Sequence, residues 1–240
     1  MKSLKFFFLI LMVVSYNPAC GQEDKKQQNE GESVMIIDLP KPVITGKISL
    51  EESLNKRRSV REFSNKPLTV KEVSQILWAA YGITKPIADA PAFVRSGLRT
   101  APSAGALYPL ELYILAGNVE DISPGIYQYD SENHSLKLVK VGDKRKELSS
   151  AALSQKAIEM APVTIIYSAI FERTTGKYGQ RGRDRYVCID LGHSAQNLCL
   201  QATALSLGVC TIGAFNDEDV KKVVGMTKDE EAMYLLPVGR

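Results

Sequence analysis

Apolar residues recur along this chain at two spacings, every three to four positions in some stretches and every second position in others. The switching between them lays out its elements. Residues 50–56 predict a short amphipathic helix running into Arg57-Arg58-Ser59-Val60-Arg61. Thr69-Val70-Lys71-Glu72 is a capping box, in which the Thr69 hydroxyl and the Glu72 carboxylate each accept a backbone N–H at a helix start. The helix that follows carries Val73, Ile76, Leu77 and Ala80 on one face and stops at Gly82. Residues 83–100, interrupted by prolines and of irregular polarity, predict a loop. Residues 110–116 predict a buried strand, and residues 125–129 and 136–141 predict a hairpin. Residues 145–160 are expected to be helical in two segments, and residues 163–171 to form a strand rich in Ile, Val and Tyr. A long helix is expected over 183–207, with Val187, Leu191, Ala195, Leu198 and Ala202 at helical spacing and Gly208 closing it. A short strand over 209–214, a helix capped by Asn216 and running to Val224, and a last strand over 234–238 complete the chain. Strands and helices alternate without a strict βαβ rhythm. This predicts an α+β fold with a mixed central sheet flanked by helices.

The N-terminus does not fit this pattern. Lys2 and Lys5 precede an uninterrupted apolar run over residues 6–14, which is too short to span a bilayer as a helix and reads as an export signal. Cys20 after Ala19 resembles a lipobox, although Asn17 stands where such a box carries Leu. Two outcomes stay open: a lipid anchor at Cys20, or cleavage by an ordinary signal peptidase. Residues 21–34 are polar and bury too little to offset their ordering entropy. The expected organisation is a signal over 1–20, a flexible tether over 21–49 and one domain over 50–240, in a protein that is periplasmic or anchored at a membrane.

Charge and composition narrow the partners. Thirty basic residues against 27 acidic give a net charge of +3, which offers no argument for nucleic acid. Cys188, Cys199 and Cys210 lie in apolar patterns without paired spacing and read as buried thiols. His134 and His193 are the two histidines of the chain, and nothing has metal-ligand spacing.

The basic residues cluster locally. Arg57, Arg58 and Arg61 with Ser59 offer the fixed charges and hydroxyl that a phosphate dianion needs; the same five residues also read as a solvated basic turn. Residues 99–109 include Pro102-Ser103-Ala104-Gly105-Ala106, small enough for close backbone approach to a planar ligand, or for an ordinary tight loop. Lys177-Tyr178 can act as acid, base or electrostatic stabiliser. His193 beside Asp190 reads first as a helix-packing histidine. Ser103 lacks a Gly-x-Ser-x-Gly setting, and there is no dinucleotide-binding or P-loop motif.

Taken in order, these pieces resemble the nitroreductase superfamily: Arg57-Arg58-Ser59-x-Arg61, the Pro102–Ala106 loop, a long helix, Gly208-Val209 to Gly213, and Pro237-Val238-Gly239. The closer resemblance is to its SagB/thiazole-oxazole oxidase branch. It is carried by Pro102-Ser103-Ala104-Gly105-Ala106-Leu107-Tyr108-Pro109, Lys177-Tyr178-x-x-Arg181 and Asp190-x-Gly192-His193-x-x-Gln196-Asn197, and the likeness spans residues 50–240. The resemblance implies FMN held at a homodimer interface, a small-molecule substrate, and NAD(P)H or another reductant. It implies Arg57, Ser59 and Arg61 at the phosphate and ribityl end with Arg58 adjacent. Pro102, Ser103 and Ala104 would lie along the isoalloxazine ring, Ile212 and Gly213 near its N5 edge, and Gly239 and Arg240 on the phosphate side. Lys177-Tyr178 matches the pair that removes a proton in azole-forming members while hydride goes to FMN, and Arg181 is expected to bind an anionic group of the substrate.

Three functions follow from the resemblance: an FMN oxidoreductase with a small organic acceptor, an azoline-to-azole oxidase acting on a modified peptide, and a flavin-binding or surface interaction module without turnover. Azole-forming oxidases work beside a cyclodehydratase on a cytosolic precursor, so an export signal favours the first over the second. The scarcity of pyridine nucleotides outside the cytoplasm weighs against NAD(P)H. With the chain stopping at Arg240, a dimer is expected to depend on the helix of 183–207.

Overall fold

The computed structural model describes residues 35–64 and 66–240; the expected signal, Cys20 and the polar segment 21–34 lie outside the described residues. In chain order the elements are β1 (Ile36–Asp38), α1 (Leu50–Lys56), α2 (Val70–Tyr81), β2 (Ile83–Pro86), β3 (Gly97–Arg99), β4 (Leu110–Ala116), β5 (Gly125–Asp130), β6 (Ser135–Val141), α3 (Arg145–Ala151), α4 (Lys156–Met160), β7 (Val163–Ala169), α5 (Glu172–Arg181), α6 (Val187–Ala204), β8 (Gly208–Val209), α7 (Asp217–Val224) and β9 (Glu231–Gly239). Seven strands make one sheet in the order β1-β6-β5-β4-β7-β9-β8, and β2 and β3 form a separate hairpin. The ladders are antiparallel. Parallel pairing is confined to isolated bridges, Ser59 with Val209 and Leu68 with Val119.

The central strands are buried on both faces, which is why they read as continuous apolar runs. On β4, Leu112, Ile114 and Ala116 pack with residues of α2 and α6, while Tyr113 and Leu115 pack with α3, α4 and α7. On β7, Ile165 and Tyr167 join the first core and Ile166 the second. The period-2 alternation of a strand thus feeds two helical layers, and each fully buried Leu or Ile contributes roughly 1.5–3 kcal/mol.

The capping box of α2 is formed as expected. The Glu72 N–H donates to Thr69 Oγ1 at 3.2 Å and the Thr69 N–H to Glu72 Oε2 at 2.9 Å. Gly82 ends the helix for a different reason than a left-handed cap: its φ is −68°, and a Cβ there would lie 2.9 Å from the Trp78 Cα.

Four departures have local causes. Residues 83–100 are not simply a loop, because Ile83 pairs with Arg99 and Pro86 with Gly97 in the β2–β3 hairpin. Part of the expected tether is folded: β1 pairs with β6, and the Val43 N–H donates to Gln75 Oε1 at 2.8 Å. The long helix begins at Val187, preceded by a wider helical turn over Gly182–Tyr186 and by α5. The strand expected over 209–214 shrinks to β8 and one bridge, Ile212 with Leu235. Cys210 donates to the Pro237 carbonyl at 3.2 Å, and Pro237 has no N–H to return, so the ladder breaks there.

Candidate active site

The residues singled out from sequence assemble into two groups, each placed by a different part of α6. In the first, the segment leaving α1 runs along β8. The Val60 N–H donates to the Val209 carbonyl at 3.0 Å, and Ser59 bridges Val209. Gly208 permits this approach, since a Cβ would sit 2.7 Å from Val60 Cβ. Gly208 pairs in turn with Gly239, and the Arg240 carbonyl accepts the Ser64 N–H. Residues 57–64, 208–209 and 239–240 therefore share one corner. Arg57 is half-buried there, while Arg58, Ser59 and Arg61 are exposed. Arg58 donates to the carbonyls of Asn55 and Arg57 at 2.9 and 2.7 Å. None of Arg57, Arg58 and Arg61 is ion-paired with a described carboxylate. Burial pushes the Cys199 thiol of α6 up to about 11 against the pull of nearby Arg57, and burial raises Cys210 against Arg61.

Arg240 also has partners within the fold. Its guanidinium pairs with Glu72 and donates to the Pro67 carbonyl at 3.0 Å, so it fastens the C-terminus to the start of α2.

The second group forms around Asp190, which is only 3% exposed. Ser103 Oγ donates to Asp190 Oδ2 at 2.5 Å, and the Ala104 N–H to Oδ1 at 3.2 Å. Ser103 Oγ also accepts the Tyr108 N–H at 2.9 Å. One carboxylate thus holds both ends of the loop. Burial raises the Asp190 pKa, opposed by these two donors and by His193. Pro102, Ser103 and Ala104 line a cavity of about 260 Å³ with Tyr186, Ile189 and His193. Because the polar atoms of Ser103 and Ala104 are spent on Asp190, the wall they give the cavity is largely apolar.

Gly105, at φ +64°, is the tip of the loop. A Cβ on it would lie 2.8 Å from Tyr178 Oη and 3.2 Å from Lys177 Nζ. The polar ends of both α5 side chains therefore converge on the loop. Lys177 Nζ stands 5.4 Å from the Tyr178 ring centroid. Tyr186 meets Tyr178 edge-on at 4.9 Å and accepts the Arg181 Nε–H at 3.0 Å. This brings Arg181 to the same cluster as Lys177 and Tyr178.

Ile212 and Gly213 divide. The Ile212 N–H is committed to the Leu235 carbonyl at 2.9 Å, whereas Gly213 is exposed and packs against Tyr234. Of the two, Gly213 is the one placed to offer a backbone donor.

A third set of residues was not singled out from the sequence. Arg95 and Arg173 both reach Glu111 Oε1 at 2.6 Å and both donate to the Tyr108 carbonyl, at 2.8 and 3.4 Å. They fix the far end of the loop from beneath. An acid at the second position of the apolar run 110–116 was the available signal. The part of Asp190 in holding the loop, beyond its place beside His193 in the family motif, was detectable in the same way, as an acid on a helix of apolar period.

Comparison with known proteins decides what this arrangement belongs to. The nitroreductase family model matches residues 54–240. The chain belongs to the nitroreductase family. A protein of Methanocaldococcus jannaschii that carries the nitroreductase name is 44% identical over 193 residues, covering 80% of this chain and 91% of its own. A crystal structure from Ralstonia eutropha, also under the nitroreductase name, has 28% identity and a TM-score of 0.71, covering 85% of this chain and 89% of its own. The Escherichia coli microcin synthetase McbBCD complex, with truncated pro-MccB17 bound, contains a chain of the same fold at 22% identity and a TM-score of 0.63, covering 95% of this chain and 84% of its own. The family makes this chain an oxidoreductase.

Proposed function

We propose that this chain is an FMN-dependent oxidoreductase of the SagB type, moving hydride between a donor and a small organic acceptor. The observation that carries the reading is the convergence of Lys177 Nζ and Tyr178 Oη on Gly105, beside the Pro102–Ala104 wall. The residues present fit FMN. Three guanidiniums without carboxylate partners among the described residues and the Ser59 hydroxyl suit a phosphate dianion, and the wall suits a flat aromatic ring. Asp190 and Cys199 are nine residues apart on α6, about 14 Å along its axis, so the two groups mark separated ends of an elongated ligand.

When bound, FMN would supply the hydride chemistry. Arg57, Arg58, Ser59 and Arg61 would hold its phosphate end. Asp190, by fixing Ser103 and Ala104, would keep the ring wall rigid, and the Gly213 N–H would offer a donor at the ring edge. Tyr178 Oη would hold or return a proton, with Lys177 Nζ beside it at the loop tip. Arg181, steadied by Tyr186, would receive a substrate anion.

A homodimer completes this reading. Ile44, Leu50, Leu54 and Ile189 are exposed, the first at 83%, and a groove between α1, α2 and α6 is lined by the first two. The apolar run at residues 6–14 supports export.

The test is the visible spectrum of the purified chain. Oxidised-flavin bands, with FMN rather than FAD released in one-to-one ratio on heating, support the reading; a colourless chain that takes up no added FMN refutes it. Azoline-to-azole oxidation is the second reading, favoured by the Lys177–Tyr178 pair. A flavin-loaded chain that oxidises azoline peptides faster than any small acceptor would select it.

A further inference from the structure

The helix α5 carries Lys177, Tyr178 and Arg181, yet little of its own holds it to the fold. Thr174 is its buried residue, Lys177 and Arg181 are exposed, and a Cβ on Gly176 or Gly179 would meet nothing within 4 Å. Tyr186 is the side chain that joins Tyr178 to Arg181. Its ring meets the Tyr178 ring edge-on, with centroids 4.9 Å apart and planes at 84°. Its Oη accepts the Arg181 Nε–H at 3.0 Å, and the Arg181 guanidinium carbon lies 5.6 Å from its ring centroid.

The wide turn before α6 makes this meeting possible. In a regular α-helix of about 3.6 residues per turn, side chains five apart point about 140° away from each other. Across Gly182–Tyr186 the backbone bonds reach one residue further, the Val187 N–H donating to the Gly182 carbonyl. Each turn then holds more residues, and Arg181 and Tyr186 come to one side. Downstream, Tyr186 shares a stripe with Ile189, Asp190 and His193, and all four line the cavity walled by Pro102, Ser103 and Ala104. The stripe whose Asp190 fixes the loop therefore also carries the ring that meets α5. No described carboxylate pairs with Arg181, so its Nε is spent on Tyr186 while its outer Nη edge is left for a ligand.

We propose, on the reading of Tyr178 and Arg181 given above, that Tyr186 is a positioning residue with two separable parts: its ring sets Tyr178 at the loop tip, and its hydroxyl sets Arg181 for a carboxylate on the substrate. Phenylalanine at this position keeps the first part and loses the second, and leucine loses both.

The test uses the flavin-loaded chain. Benzoate and benzamide, which differ in charge and hardly in shape, are titrated calorimetrically into the oxidised protein. The parent is expected to favour benzoate at least about tenfold, the scale of a hydrogen bond to a charged group. Tyr186→Phe should lower that preference about fivefold by weakening benzoate and sparing benzamide. Chemically reduced flavin mixed with 4-nitrobenzoate, a two-electron acceptor, then reads the ring. Tyr186→Leu should slow the limiting rate of reoxidation at least about tenfold, and Tyr186→Phe should recover most of that loss. Flavin content is expected to be equal in the three proteins; flavin lost from Tyr186→Phe would make the residue part of the cofactor site and overturn the assignment. A parent that does not distinguish the two ligands, an undiminished preference for benzoate in Tyr186→Phe, or equal rates in Tyr186→Phe and Tyr186→Leu would overturn it as well. A chain that takes up no FMN refutes the flavin function itself, whereas these outcomes, read on a flavin-loaded protein, refute the part given to Tyr186 alone.

Discussion

Two groups of arginines in this chain are committed in different ways. Arg95, Arg99 and Arg173 are tied down by Glu111, by backbone carbonyls and by aromatic rings. Arg57, Arg58 and Arg61 pair with no described carboxylate, and of the three Arg58 alone spends a nitrogen, on the carbonyls of Asn55 and Arg57. The same side chain does structural work where its donors are spent and is available to a ligand where they are not. The largest effect should therefore come from the acid at the centre of the first group. Glu111→Gln leaves two half-buried guanidiniums without their shared carboxylate and should cost about 3 kcal/mol of stability in urea unfolding. A loss too small to measure would mean that the first group is no more committed than the second.

Lys177 sharpens the comparison, because it too is an exposed cation without a described carboxylate partner, yet its Nζ lies at the loop tip. Lys177→Ala should slow turnover about a hundredfold with bound flavin unchanged, the scale expected of a lost acid-base group. Full turnover with every substrate found would remove Lys177 from the mechanism.

The second group should answer in binding and not in folding. Arg57→Ala or Arg61→Ala should leave stability within about 0.5 kcal/mol of the parent. Each should raise the FMN dissociation constant roughly thirtyfold, the equivalent of about 2 kcal/mol for a hydrogen bond to a charged group. Flavin titration and urea unfolding on the same protein separate the two effects. A stability loss matching the affinity loss would erase the contrast between the groups.

Legibility in the sequence divides along the same line. The strands buried on both faces and the capping box of α2 were readable because their signals are local, a run of apolar residues or a hydroxyl three positions before a glutamate. The open arginines were readable because they are adjacent in sequence. α5 was not, since Gly176 and Gly179 interrupt a polar segment that packs mainly through Thr174 and Gly182. The β2–β3 hairpin was hidden by Pro86 and by pairing that no alternation announces. The Arg95–Glu111–Arg173 cluster joins positions 16 and 62 residues apart, and no spacing rule connects them. The Arg240–Glu72 pair was illegible for the same reason, because the two residues lie 168 apart.

The smallest predicted effect tests whether Asp190 acts as an anionic staple at a net cost. Burial raises its folded-state pKa above the ordinary 3.8, although Ser103 and Ala104 donate to it. An acid with a raised folded-state pKa contributes stability that is fully present below the unfolded value and is lost as pH rises through the folded value. Asn at this position does not titrate. The stability of the parent relative to Asp190→Asn should therefore be highest in acid, decline across a window that opens at 3.8, and become flat above the folded-state value. Urea unfolding of the two proteins at successive pH values measures this difference free of the other carboxylates, which titrate alike in both. A gap that widens with rising pH would show that the two donors outweigh burial. Asp190 would then hold the loop as a favourable anion, and the open corner at Arg57–Arg61 would not be the only place where this fold welcomes an unshared charge.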